Sequence, residues 1–81
     1  MRIDKFLKNS RIIKRRQVAK DACLNERVKI NGNIAKAGSD VGCGDIVEIC
    51  LGKSNLKVKV LDLIDGAKKN DASEMYEVID E

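Results

Sequence analysis

Arg27-Val28-Lys29-Ile30-Asn31-Gly32-Asn33-Ile34-Ala35-Lys36 is the stretch that decides the fold. Val28 and Ile30 alternate with Arg27 and Lys29, the period of a half-buried strand. Asn31-Gly32 follows, and a type I′ hairpin turn favours that pair because both of its central residues need positive φ. The return strand is then Asn33–Lys36.

Upstream of the hairpin the period is helical. Ile3, Phe6 and Leu7 share one face of a helix over residues 3–9, with Asp4 at the end where the helix dipole favours a negative charge. A second helix runs from Lys14 or Arg15 to Leu24. Val18, Ala19, Ala22 and Cys23 make a narrow stripe on it, small enough for close approach to a neighbour. Arg16 and Lys20, four apart, share another face with Arg15 nearby. Downstream, Gly38, Gly42 and Gly44 punctuate a loop into a strand over Asp45–Leu51. A turn at Gly52–Asn55 leads to a strand over Leu56–Ile64, with Lys57 and Lys59 outward against Val58 and Val60. A short helical or irregular stretch around Ala67–Ser73 and a final strand near Met75–Ile79 complete the chain. The expected class is α+β: two basic N-terminal helices on a small, mostly antiparallel sheet, with residues 1–81 as a single domain.

The chain has 81 residues, 43% hydrophobic and 36% charged, with no Pro, Trp or His. That composition supports one modest core and argues against wholesale disorder. The size excludes most self-contained enzymes, and the missing histidine removes the commonest general acid/base and metal ligand. No apolar run approaches the roughly 18–20 residues of a membrane span. Arg2 and Lys5 are not followed by an apolar stretch, so no secretory signal is expected and the cytoplasm is the expected location. Cys23, Cys43 and Cys50 form no C-x-x-C pair and fit a reducing compartment; no metal or cofactor site is expected. Cys23 and Cys50 fall on apolar stretches and read as core, whereas Cys43 lies in the glycine-rich turn.

Charge is segregated along the chain. Residues 1–36 hold eleven basic and three acidic side chains, a net +8, and residues 37–81 carry a net −5. A half-chain of that sign is the footprint of a polyanion-binding face, against the plain alternative of a solvated lysine-rich helix surface.

The ordered set Arg2-Ile3-Asp4-Lys5-Phe6-Leu7, Arg16-x-x-Ala19, Val28-x-Ile30-Asn31-Gly32 and Gly44-Asp45 resembles the RNA-binding domain named after small-subunit ribosomal protein four. The match covers residues 2–51, with 52–81 as a C-terminal extension. It implies an αL-type RNA-binding domain whose two helices and hairpin lay a basic face on structured RNA. A freestanding copy of this length is similar to the heat-shock protein fifteen group. The run Arg11-Ile12-Ile13-Lys14-Arg15-Arg16 and the ending Lys68-Lys69 … Met75-Tyr76 resemble more closely the RqcP family of bacterial ribosome-associated quality-control factors. That resemblance implies a partner of large-subunit rRNA and peptidyl-tRNA on the large ribosomal subunit, and a monomer is expected. It also implies action beside RqcH in alanine tailing, without enzymatic activity of its own. In two places the chain departs from the family. Glu26 stands where a glycine is usual, leaving the left-handed role to Asn25, and Cys43 stands where the loop often carries proline.

The candidate RNA contacts are Arg2, Lys5, Lys8, Arg11, Lys14, Arg15, Arg16, Lys20, Lys29 and Lys36. Arginine offers a planar fork that matches phosphate oxygens. For each residue the competing reading is a solvated charge, and for Arg2 it is an internal pair with Asp4. Phe6 reads as core. With Tyr76 the only other aromatic, base stacking on single strands is disfavoured and RNA shape is favoured. Two further readings stay open: a DNA-binding regulator built on the two helices, and a large-subunit recycling factor of the heat-shock type.

Overall fold

The computed structural model describes residues 1–52, 54–64, 69–72 and 74–79. Helices α1 (Ile3–Asn9) and α2 (Arg16–Leu24) precede strands β1 (Val28–Ile30), β2 (Asn33–Ile34), β3 (Ile46–Leu51) and β4 (Ser54–Val60). A single helical turn, α3 (Lys69–Ala72), and strand β5 (Tyr76–Val78) follow. The strands form one antiparallel sheet in the order β2-β1-β3-β4-β5, as two helices on a small antiparallel sheet require.

Asn31 (φ +52°) and Gly32 (φ +83°) make the two-residue hairpin turn expected of them, with Ile30 paired to Asn33. Asn31 also fastens the hairpin to β3: its Oδ1 accepts the Ile46 N–H at 2.9 Å. The return strand is shorter than its sequence suggests, ending at Ile34. The other long strand is displaced, running over Ser54–Val60 instead of Leu56–Ile64, because pairing of Leu51 with Ser54 closes the turn in two residues. Beyond Val60 the strand ends, with one further bond to the segment before β5, as the Leu61 N–H donates to the Met75 carbonyl at 2.8 Å. Of the stretch read as 67–73, residues 69–72 are helical, while 67, 68 and 73 lie outside the described residues.

The exit from α2 differs from expectation. Asn25 keeps φ at −90°, and its side-chain amide donates to the Asp21 carbonyl at 2.8 Å. Glu26 takes the left-handed conformation, φ +59°, at the position where helices most often place glycine. The Glu26 N–H reaches Cys23 O and the Arg27 N–H reaches Ala22 O, the paired bonds of a Schellman ending.

Both portions of the chain supply the core. Ile3, Phe6 and Leu7 from α1 and Ala19 and Cys23 from α2 pack with Val28, Val47, Ile49, Val58, Val60 and Met75. Two sequence assignments are corrected here. Val18 is exposed: the buried side of α2 runs from half-buried Ala22 through Ala19 to Cys23, and Val18 lies beyond its Ala22 edge, about 90° from the centre. Cys50 is exposed because Val47 and Ile49 point inward, so alternation sends Glu48 and Cys50 out. Ile30 is only half-buried.

Candidate nucleic-acid interface

The site is assembled on the chain's first residues. Arg2 is the extended residue before α1, and its backbone bridges to Asp40. The Ile3 N–H donates to Ser39 O at 2.8 Å, and the Val41 N–H donates to Met1 O at 2.9 Å. The N-terminus is thus stitched to the loop that follows the hairpin. One residue into α1, Asp4 falls on the flank shared with Ile3 and Leu7 and is buried with them.

A buried carboxylate without partners would be costly, so its surroundings matter. Asp4 Oδ1 accepts the Lys5 N–H at 2.8 Å and lies 3.4 Å from Arg2 Nε. Asp4 Oδ2 lies 3.6 Å from Arg16 Nε. The carboxylate is 2% exposed, whereas the Arg2 and Arg16 side chains are 51% and 52% exposed. Two arginines from different elements thus share one buried anion and still present much of their surface to solvent.

Arg16 is also the first residue of α2, preceded by Arg15, and the first turn of that helix carries no acidic residue. Positive side chains at the positive end of a helix dipole are locally unfavourable, and Asp4 supplies the counter-charge from α1. Arg2, Asp4, Arg16, Gln17 and Lys20 line a groove of about 280 Å³. Gln17 is held by a hydrogen bond to Asp21 at 3.0 Å. Three cationic side chains converge around a half-open hollow, an arrangement suited to a phosphate group.

Of the candidate contacts, the structure brings Arg2, Arg16 and Lys20 together. Lys5 is half-buried on α1, and Lys8 is exposed in its last turn. Arg11 follows that helix in a left-handed conformation, φ +61°, and Lys14 and Arg15 stand exposed between the helices. Lys36 is exposed beyond β2, with its N–H bonded to Ser39 Oγ. Lys29 lies elsewhere. It points from β1 to the sheet face opposite the core, in register with Ile34 on one side and Glu48 on the other. A larger groove of about 460 Å³ on that face mixes Arg27, Lys29 and Lys57 with Glu48.

Asp4 and Gln17 are the site residues that the sequence reading left out. Asp4 carried a signal, since it stands three residues before Leu7 on a helix whose other flank residues are apolar. Burial pushes the Cys23 thiol up, and the Asp4 charge adds to the effect, so this cysteine is a protonated core residue. Among the described residues no cluster could hold a metal ion, and no helix is long and apolar enough to cross a membrane.

Comparison with known proteins bears on the family and the fold. The family model described as "S4 domain" matches residues 1–47. A Streptococcus pneumoniae protein named "RQC P-site tRNA stabilizing factor" is 53% identical over the whole of this chain and 92% of its own length. The Bacillus subtilis protein of the same name is 48% identical, again over the whole chain and 94% of its own length. Among solved structures, heat shock protein 15 of Vibrio cholerae superposes with a TM-score of 0.90 at 24% identity, covering 98% of this chain and 81% of that one. That last likeness concerns the fold.

Proposed function

This chain belongs to the S4-domain family, among the RQC P-site tRNA stabilizing factors, and from that premise we propose that it is a non-enzymatic RNA-binding factor of ribosome-associated quality control. It binds rRNA and tRNA on cytoplasmic large ribosomal subunits whose nascent chain is still attached to tRNA. By holding the peptidyl-tRNA there as a monomer, it supports alanine tailing of the nascent chain beside RqcH. The observation that carries this reading is the groove of Arg2, Arg16 and Lys20 around buried Asp4. It lies within the residues matched by the family model and offers folded RNA two forked donors and an ammonium group.

The groove suits phosphate better than a base, because it offers no aromatic surface for stacking. The −5 charge of residues 37–81 disfavours indiscriminate adhesion to nucleic acid. Pull-down of the tagged chain, with sequencing of bound RNA and mass spectrometry of partners, tests the reading. Large subunits carrying tRNA together with RqcH are the expected catch. Free large subunits without either would favour the recycling role, which the likeness to heat shock protein 15 keeps in view. Preference for duplex DNA over structured RNA in gel shifts would overturn both.

A further inference from the structure

Asp4 is negative, buried and placed at the floor of a groove whose expected ligand is also negative. By charge alone it should weaken binding. It is 2% exposed, so RNA cannot reach it, and any effect on recognition must pass through the groups it touches. Besides the Lys5 N–H, those groups include Arg2 and Arg16, the two arginines that line the groove.

Each guanidinium approaches the carboxylate through Nε, with Arg2 adding a contact from Nη2 to Oδ2 at 3.4 Å. The inner edges are therefore engaged. Arg16 projects from the first turn of α2 and Arg2 from a backbone stitched to Asp40, so neither origin is free to wander. An unheld arginine surrenders much rotamer freedom on binding. Holding both beforehand shifts that cost from binding to folding.

We propose that Asp4 is a positioning residue: its buried carboxylate fixes Arg2 and Arg16 as one preformed fork, and the groove recognises a phosphodiester of folded RNA through that geometry. The inference rests on the RNA-binding reading above and adds a sign that the reading alone does not supply. Neutralising Asp4 raises the net charge by one, and bulk electrostatics then calls for tighter binding. Loss of the preformed fork calls for weaker binding.

The test is affinity of the wild type and Asp4→Asn for purified large ribosomal subunits carrying peptidyl-tRNA, with circular dichroism to verify the fold. Asp4→Asn is expected to weaken binding by about tenfold. In an Arg2→Ala/Arg16→Ala background the same change should have no weakening effect, because no fork remains to position. Equal or tighter binding by folded Asp4→Asn would overturn the positioning role while leaving the RNA-binding reading intact. A wild type that ignores the subunits would instead defeat that reading, and the positioning role with it. If Asp4→Asn proves too unstable, NMR of the free wild-type protein decides. Slowly exchanging Nε–H signals from Arg2 and Arg16 are expected, and fast exchange typical of surface arginines would overturn the proposal.

Discussion

The helical face and the open sheet face each bring acids and bases together, and they do so differently. On the helical face Asp4 is 2% exposed and is shared between Arg2 and Arg16, two residues distant in sequence. On the sheet face Glu48 and Lys57 meet across β3 and β4 at 4.0 Å, 40% and 32% exposed. The first arrangement is anchored in the core and aims two cations outward together. The second is a cross-strand pair in solvent, of the kind worth about 0–1 kcal/mol. What separates the two faces is the burial of the counter-ion rather than the number of charges.

The steepest way to break this contrast is to remove the core on which both faces rest. Val28→Asp places a charge where no solvent reaches, and it should abolish cooperative melting under conditions where the wild type is folded. Ile30→Asp, at a half-buried position two residues away, should give a smaller loss in the same melts. Arg16→Ala removes a half-exposed side chain while Arg2 still faces buried Asp4, and it should cost ten- to hundredfold in large-subunit affinity, on the basis of about 1.5–3 kcal/mol for a contact to a charged group. Sedimentation with large subunits measures that loss. Arg16→Lys keeps the charge without the fork and should recover only part of the binding.

Smaller effects probe the joints between the faces. Glu26→Gly relieves a left-handed non-glycine residue and should stabilise the chain by about 0.5–1 kcal/mol, part of the relief being offset by the entropy of glycine in the unfolded state. Differential scanning calorimetry should show a rise of roughly 2–8 °C. Glu48→Gln, on the sheet face, should move stability by less than about 0.5 kcal/mol and leave subunit affinity unchanged.

The architecture was legible wherever local chemistry dictated it. Asn31-Gly32 set the hairpin, and the spacing of Ile3, Phe6 and Leu7 set α1. For Cys50, residue type points inward and alternation points outward, and alternation prevails: Glu48 two positions earlier marks its face as outward. Glu26 was not legible, because a left-handed glutamate is tolerated only when a completed helix ending supports it, and those bonds depend on where α2 stops. The grouping of Arg2, Arg16 and Lys20 was legible in part: helical spacing joined Arg16 to Lys20, and proximity in sequence joined Arg2 to Asp4. What joins the two pairs is the packing of α2 on α1, a tertiary relation that no spacing along the chain encodes.

The most direct measurement compares two double substitutions that remove the same charge. Arg2→Ala/Arg16→Ala strips the helical face, and Lys29→Ala/Lys59→Ala strips two exposed lysines from the sheet face; because the first pair also takes both arginines from buried Asp4, circular dichroism verifies that each variant is folded. Affinity for peptidyl-tRNA-bearing large subunits at one fixed salt concentration is expected to fall by about a hundredfold or more for the first and by less than about threefold for the second. Equal losses from the two faces would contradict the account, because they would show that the subunit senses only the total charge.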